Sequence, residues 1–218
     1  MFPIRDSVGY RGAALITRLL IISNVLVFFW QITGGTRAFQ LKVFEYGFIP
    51  ALFFAEPLSE AFRLLTSMFM HGGVSHIVGN MWFLWVFGAS LEQRLGGMRY
   101  LLLYLAAGAA ATVIQGLFTA DSAVPVIGAS GAVSAVLGAY FILFRTEFIF
   151  SLAWFFLPFF FWVPVVIYLG YWALIQLLQA LAGVPGTAWW AHVGGFALGV
   201  IAGRRYLKRR PSTSTTWL

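Results

Sequence analysis

The chain has 218 residues, of which 61% are hydrophobic and only 10% charged, and its mean hydropathy is +0.86. These values exclude an ordinary soluble domain and point to a polytopic membrane protein with room for about six spans of roughly 20 residues each. The absence of cysteine excludes disulfides, thiolate chemistry and cysteine-ligated metals, and three histidines are too few for a polyhistidine metal centre, so no metal or cofactor is expected. A net charge of +7 does not signal nucleic acid here, because the bases cluster where apolar runs end and so read as topology signals.

In chain order, "MFPIRDSVGYRGAALITRLL" puts Asp6 and Arg11 before the first apolar run and Arg18 inside its start, with no small-residue cleavage site, so a retained span is expected near 14–33. The connection from Thr33 to Ser75 mixes Arg37, Lys42, Glu45, Glu56, Glu60 and Arg63 with aromatics, a pattern of short amphipathic elements in the membrane interface. Further spans are expected near 76–92, 98–118 and 127–144. The aromatic run from Phe148 to Phe161, broken by Pro158 and followed by Pro164, reads either as an interfacial segment or as part of a seventh crossing. The last two spans are expected near 163–181 and 189–206.

Charge decides the parity. Arg5, Arg11 and Arg18 precede the first span, and Arg204, Arg205, Lys208, Arg209 and Arg210 end or follow the last, which puts both termini in the cytoplasm and requires an even number of crossings. Six crossings also bring Arg94, Arg99 and Arg145 inside, giving eleven bases inside against three outside (Arg37, Lys42 and Arg63). The segment 148–161 is then interfacial. The expected fold is an all-α, polytopic bundle of six transmembrane helices, forming one domain over 1–210 embedded in the lipid bilayer, with a disordered tail at 211–218.

This topology starts the second, fourth and sixth spans on the extracytoplasmic side, so His76, Ser130 and His192 fall at one depth. Gly195, Gly199 and Gly203 recur every four residues, and so do Gly131, Ala135 and Ala139, with Gly128, Ala132 and Gly138 adding small residues, so the fourth and sixth spans can approach nearly backbone to backbone. Such packing brings Ser130 towards His192, and a neutral imidazole can take a serine's proton. No Asp or Glu lies near either residue, which argues for a dyad rather than a triad. Ser134 is a rival nucleophile without flanking glycines. His76 and Asn80, four apart on one helix face, can donate to an oxyanion, and free N–H groups at the start of the fourth span, that of Ser130 among them, can add to them. Ser130 alone, or Asn80 with His76, is more simply a helix-packing group, and His192 alone is as readily a histidine bonded to a backbone carbonyl; together they make a nucleophile, a base and an anion site.

These residues resemble the rhomboid family of intramembrane serine proteases over nearly the whole chain. The resemblance rests on "GASG" at 128–131, "HIVGN" at 76–80, "AHVGG" at 191–195 and "GASLEQRLG" at 88–96, with "PIRD" and the "GYW" at 170–172 similar to bacterial members. It implies Ser130 as nucleophile, His192 as general base, and His76 with Asn80 as oxyanion donors. His71 matches a histidine outside the dyad, and Gly88, Glu92 and Gly96 match an architectural G-x-x-x-E-x-x-x-G. Arg63 matches a loop-bracing arginine, preceded by Phe62 where the family commonly has Trp. Ser134 stands where members often carry an aromatic that packs on the catalytic histidine. The resemblance further implies single-pass transmembrane proteins as substrates, cleaved near the extracytoplasmic side of a bacterial inner membrane. The fifth span and the loop "AGVPGTA" at 182–188 are candidates for gate and cap. Rival readings are a catalytically silent member that binds membrane clients and a small transporter with polar residues along a path.

Overall fold

The computed structural model describes residues 1–9, 12–154 and 156–209; Arg11, Arg210 and the tail at 211–218 lie outside them. A short strand, β1 (Phe2–Asp6), precedes α1 (Leu15–Ile32). The connection that follows folds as four short helices, α2 (Gly35–Tyr46), α3 (Pro50–Ala55), α4 (Pro57–Glu60) and α5 (Arg63–Thr66), and a tight turn at Ser67–Phe69. Then come α6 (Val74–Leu95), α7 (Gly97–Phe118), α8 (Ser130–Leu143), the strands β2 (Phe148–Trp154) and β3 (Pro158–Pro164), α9 (Val165–Leu181) and α10 (Trp189–Arg209). Each of the six apolar runs is thus a helix. Among the described residues α1, α6 and α7 are long and apolar enough to cross a membrane, and α8 and α9 are shorter apolar helices.

The centre of the bundle is α8, where every residue from Gly131 to Tyr140 is buried. Its tightest neighbour is α10, and the contact is made by backbone. A methyl group added at Gly199 would lie 2.0 Å from the Ala135 carbonyl oxygen, one at Gly195 2.2 Å from that of Gly131, and one at Gly138 2.0 Å from that of Phe196. Only glycine lets two helices come so close, and the reward is dispersion over their whole length.

The α6–α7 corner shows what the G-x-x-x-E-x-x-x-G spacing does. Buried Glu92 accepts hydrogen bonds from the Ile16 N–H (2.9 Å), the Thr17 N–H (2.8 Å) and the Thr17 hydroxyl (2.8 Å), so it caps the first turn of α1, which has no cap of its own. One turn earlier, a side chain at Gly88 would collide with Tyr100 and Thr17, and one turn later Gly96 takes a positive φ of 83° to turn the chain into α7. Glu92→Ala is expected to cost about 3 kcal/mol, since three donors lose a charged acceptor. Thermal unfolding in detergent checks this, with Glu92→Gln expected to lose less.

On the other side of the molecule Arg63 braces the short helices. It pairs with Glu60 and donates to the carbonyls of Phe44 and Gly47. Phe48 and Val126 form a bridge that ties this region to the strand-like approach to α8.

The segment after α8 is a β-hairpin rather than a helical crossing. β2 pairs antiparallel with β3 on one side and with β1 on the other, in the order β1-β2-β3. Its sequence, FIFSLAW then PFFFWVP, is rich in aromatic and β-branched residues and bounded by prolines, which favours strands over helix. The small sheet adds to a helical bundle without altering it.

Candidate active site

The approach to Ser130 is built by hand-over of backbone bonds. The Val126 N–H donates to Phe48 O, and the Gly128 N–H donates to Ser67 O at 2.9 Å, so the chain runs extended until Gly128, at φ 127°, turns into α8. The helix therefore begins at Ser130, three residues after the start expected for the span, and no side chain caps it. Ser130, at the start of the helix, lines a cavity of about 810 Å³ together with His192, His76, Asn80, Gln115 and Gln176 among others.

His192, near the start of α10, has a defined hydrogen-bonding state. Its Nδ1 lies 2.7 Å from Gln176 Oε1 on α9, an atom that can only accept, so Nδ1 carries the proton. Nε2, buried and without a hydrogen-bond partner among the described residues, is left as a base. Trp172 and Trp189 flank the ring, with centroids 6.2 and 5.7 Å away. Ser134 serves elsewhere: its hydroxyl donates to the Ser130 carbonyl at 2.6 Å. Aromatic contact with the His192 ring therefore comes from α9 and α10, not from α8.

His76 is held in the opposite tautomer. The Gly72 N–H points at its Nδ1 at 3.2 Å, so the proton sits on Nε2 and is available as a donor. A methyl group at Gly128 would lie 2.8 Å from that Nε2 and 3.6 Å from Ser130 Oγ, which locates the His76 donor beside the serine and explains the glycine between them. Asn80 is buried, and its amide donates to the His76 carbonyl at 3.2 Å, leaving one of its two N–H bonds for the cavity. His71 stands behind, its ring 5.1 Å from that of His76; burial, and then the neighbouring His76, lower its pKa to about 4, so it is neutral at physiological pH.

Arg63, Glu92, Gly88 and Gly96 lie away from this cavity, whereas Gly131, Gly195 and Gly199 line the α8–α10 seam beneath it. Two residues escaped the sequence reading. Gln176 is one, and Gln115 is the other: its Oε1 accepts from the N–H groups of Trp190 (3.0 Å) and Ala191 (3.3 Å), capping the helix that carries His192. Both are uncharged polar residues inside apolar helices, and that was the available signal.

Residues 58–209 match the family model described as the Rhomboid domain. The chain belongs to the rhomboid family. Among its relatives, Rhomboid protease GluP of Bacillus subtilis is 35% identical over 134 residues, covering 61% of this chain and 25% of that protein. RHOMBOID-like protein 6, mitochondrial, of Arabidopsis thaliana is 31% identical over 66% of this chain and 43% of its own length. Rhomboid-related protein 2 of Mus musculus is 39% identical over 42% of this chain and 30% of its own. The chain thus matches less than half the length of each of these relatives. With its apolar helices, this rhomboid is an integral membrane protein.

Proposed function

We propose that this rhomboid is a serine endopeptidase that cleaves single-pass membrane proteins within the membrane, near its extracytoplasmic face. One observation carries the reading. His192, with Nδ1–H spoken for by Gln176 and Nε2 free, shares a cavity with Ser130 at an uncapped helix start and with the Nε2–H of His76. Ser130 Oγ attacks the scissile carbonyl carbon as its proton passes to His192 Nε2. His76 Nε2–H, the Asn80 amide and the Ser130 N–H receive the oxyanion. The C–N bond breaks, the amine leaves with the proton from His192, and the acyl group remains on Ser130. Water, deprotonated by the same imidazole, then releases the acid. No hydrogen bond joins Ser130 to His192 in the free enzyme, a separation that substrate closes in many hydrolases.

The described bases Arg5, Arg18, Arg94, Arg99, Arg145, Arg204, Arg205, Lys208 and Arg209 belong to helix and strand ends opposite the cavity, and this supports cytoplasmic termini for a protein that we place in a bacterial inner membrane. A fluorophosphonate probe tests the nucleophile: wild type is expected to label and Ser130→Ala not, and equal labelling of both removes the assignment. It also separates this reading from a silent client-binding rhomboid or a transporter, neither of which labels.

Gln176 has the place that a carboxylate takes in a triad, with a neutral amide instead. Gln176→Leu is expected to lower kcat by roughly 10²-fold with KM little changed, as the imidazole loses its tautomer lock. Gln176→Glu is expected to restore much of that rate while moving the acidic limb of the pH profile to higher pH, because an anion beside His192 favours the imidazolium, which must lose its proton before the ring can act as a base. Steady-state cleavage across pH distinguishes this from a packing defect.

A further inference from the structure

The small sheet presents two chemically different faces. Ile149, Ser151, Ala153 and Val163 are buried against the bundle. The opposite face carries Phe148, Phe150, Leu152 and Trp154 on β2, with Phe160 and Trp162 on β3, and its rings touch one another, Phe150 lying 5.8 Å from Phe160 and 5.1 Å from Trp162. Beyond them the tip is bare: Phe156 is 100% and Leu157 77% exposed. In water such a contiguous aromatic surface would be a liability.

Its level along the bundle explains it. Asp6 accepts from Ser90 (2.6 Å) and from Tyr140 (2.7 Å), near the basic end of the molecule. Pro3 instead accepts from the indole of Trp82, against which the Phe2 ring lies at 4.9 Å. Ser90 and Trp82 are eight residues apart on α6, roughly 12 Å. The sheet therefore runs alongside α6 from the basic rim towards mid-bundle, and Phe2 is level with Leu152. Along the β1 edge, side chains of the bundle satisfy part of the backbone. The carbonyls of Met1, just before β1, and of Pro3 within it accept from Tyr168 and Trp82, and Pro3, Pro158 and Pro164 have no N–H to leave unpaired.

We propose that this sheet is an intramembrane wedge whose outward aromatic face meets the acyl chains of the leaflet opposite the active-site cavity. The face continues the exposed apolar side of α9 at Ile167, Tyr171 and Leu174. Its one charge, Arg5, lies over Phe150 and Trp162 at the end nearest the basic rim, where the guanidinium can reach lipid phosphate. The surrounding bases complement anionic headgroups.

Because the chain has no cysteine, one introduced residue carries one spin label. Phe148→Cys, Phe150→Cys, Trp154→Cys and Phe160→Cys are labelled in the full chain, reconstituted in phosphatidylcholine and phosphatidylglycerol vesicles, and probed with oxygen and a water-soluble nickel chelate. At the last three positions the oxygen-to-nickel collision ratio is expected to exceed that at Ala123→Cys, in the exposed loop beside the cavity, several-fold, and to be larger at 154 than at 148. Nickel access at 150 and 160 equal to that at 123 overturns the proposal, as water then covers the face. Weak access by both reagents overturns it too, since a second copy or another protein would then be the cover. Should the labelled variants misfold, brominated-lipid quenching of native tryptophan emission is compared between wild type and Trp154→Phe; a quenched fraction unchanged by the substitution counts against the wedge.

Discussion

Ser130→Ala and His192→Ala are each expected to reduce kcat/KM towards a reconstituted single-span substrate by on the order of 10⁵- to 10⁶-fold, the scale of a nucleophile or base acting as one unit with its partner. The sharper expectation concerns the double variant. A proton transfer that needs both groups is lost once, so the two substitutions together lose no more than either alone. Product formation in proteoliposomes measures all three, and an additive double loss would mean that the residues do not act on the same step. The two histidines that share the cavity with Ser130 are not interchangeable. Gln176 accepts from one ring's Nδ1–H and so leaves its Nε2 unprotonated; the Gly72 N–H donates to the other ring's Nδ1 and so puts the proton on Nε2. One presents a lone pair and the other a proton, which is what a base and an oxyanion donor require.

The largest expected stability effect lies in the seam beneath them. Gly199→Ala adds one methyl group 2.0 Å from a backbone oxygen, where no rotamer change can relieve the contact. A cost of about 3 kcal/mol or more is expected, since α8 and α10 must move apart. The same substitution at Gly79, on α6, meets nothing within 4 Å and is expected to be neutral or stabilising by up to about 1 kcal/mol. Chemical unfolding in mixed micelles compares the two. Separation of α8 from α10 also carries His192 away from Ser130, so activity should fall with the first variant even below its melting temperature.

Much of this could be read from spacing. Glycines at intervals of four put a smooth stripe on α10, and residues at intervals of four on α8 supplied the matching surface; both are properties of helical period and side-chain size, which sequence states directly. The depth shared by His76, Ser130 and His192 followed from alternation of spans. What stayed hidden depends on rotation and on partners distant in sequence. Glu92 was legible as an anchor, but that it caps α1 needs the meeting of Ile16 and Thr17 with a residue over 70 positions away. Gln176 lies 16 residues before His192 on a different helix, and no periodicity relates the two. The hairpin was obscured because a run of Phe and Trp suits a strand, a span or an interface equally well, and its pairing with the first residues of the chain is non-local.

The shortness of α8 has a consequence for what can be cut. Its 14 residues measure roughly 21 Å at 1.5 Å per residue, against a hydrocarbon thickness of about 30 Å. Because α8 is enclosed by its neighbours, lipid does not register the mismatch; with the C-terminal end of α8 at one face of the hydrocarbon, Ser130 would lie roughly 9 Å inside the other, at the bottom of a shaft. For the activity proposed, a substrate helix standing beside the enzyme would present at Ser130 a bond about six residues inside its own apolar stretch. Discrimination would then fall on mechanical weakness: a segment whose outer turn and a half uncoils easily reaches the bottom of the shaft, and a stiff one of identical hydrophobicity does not.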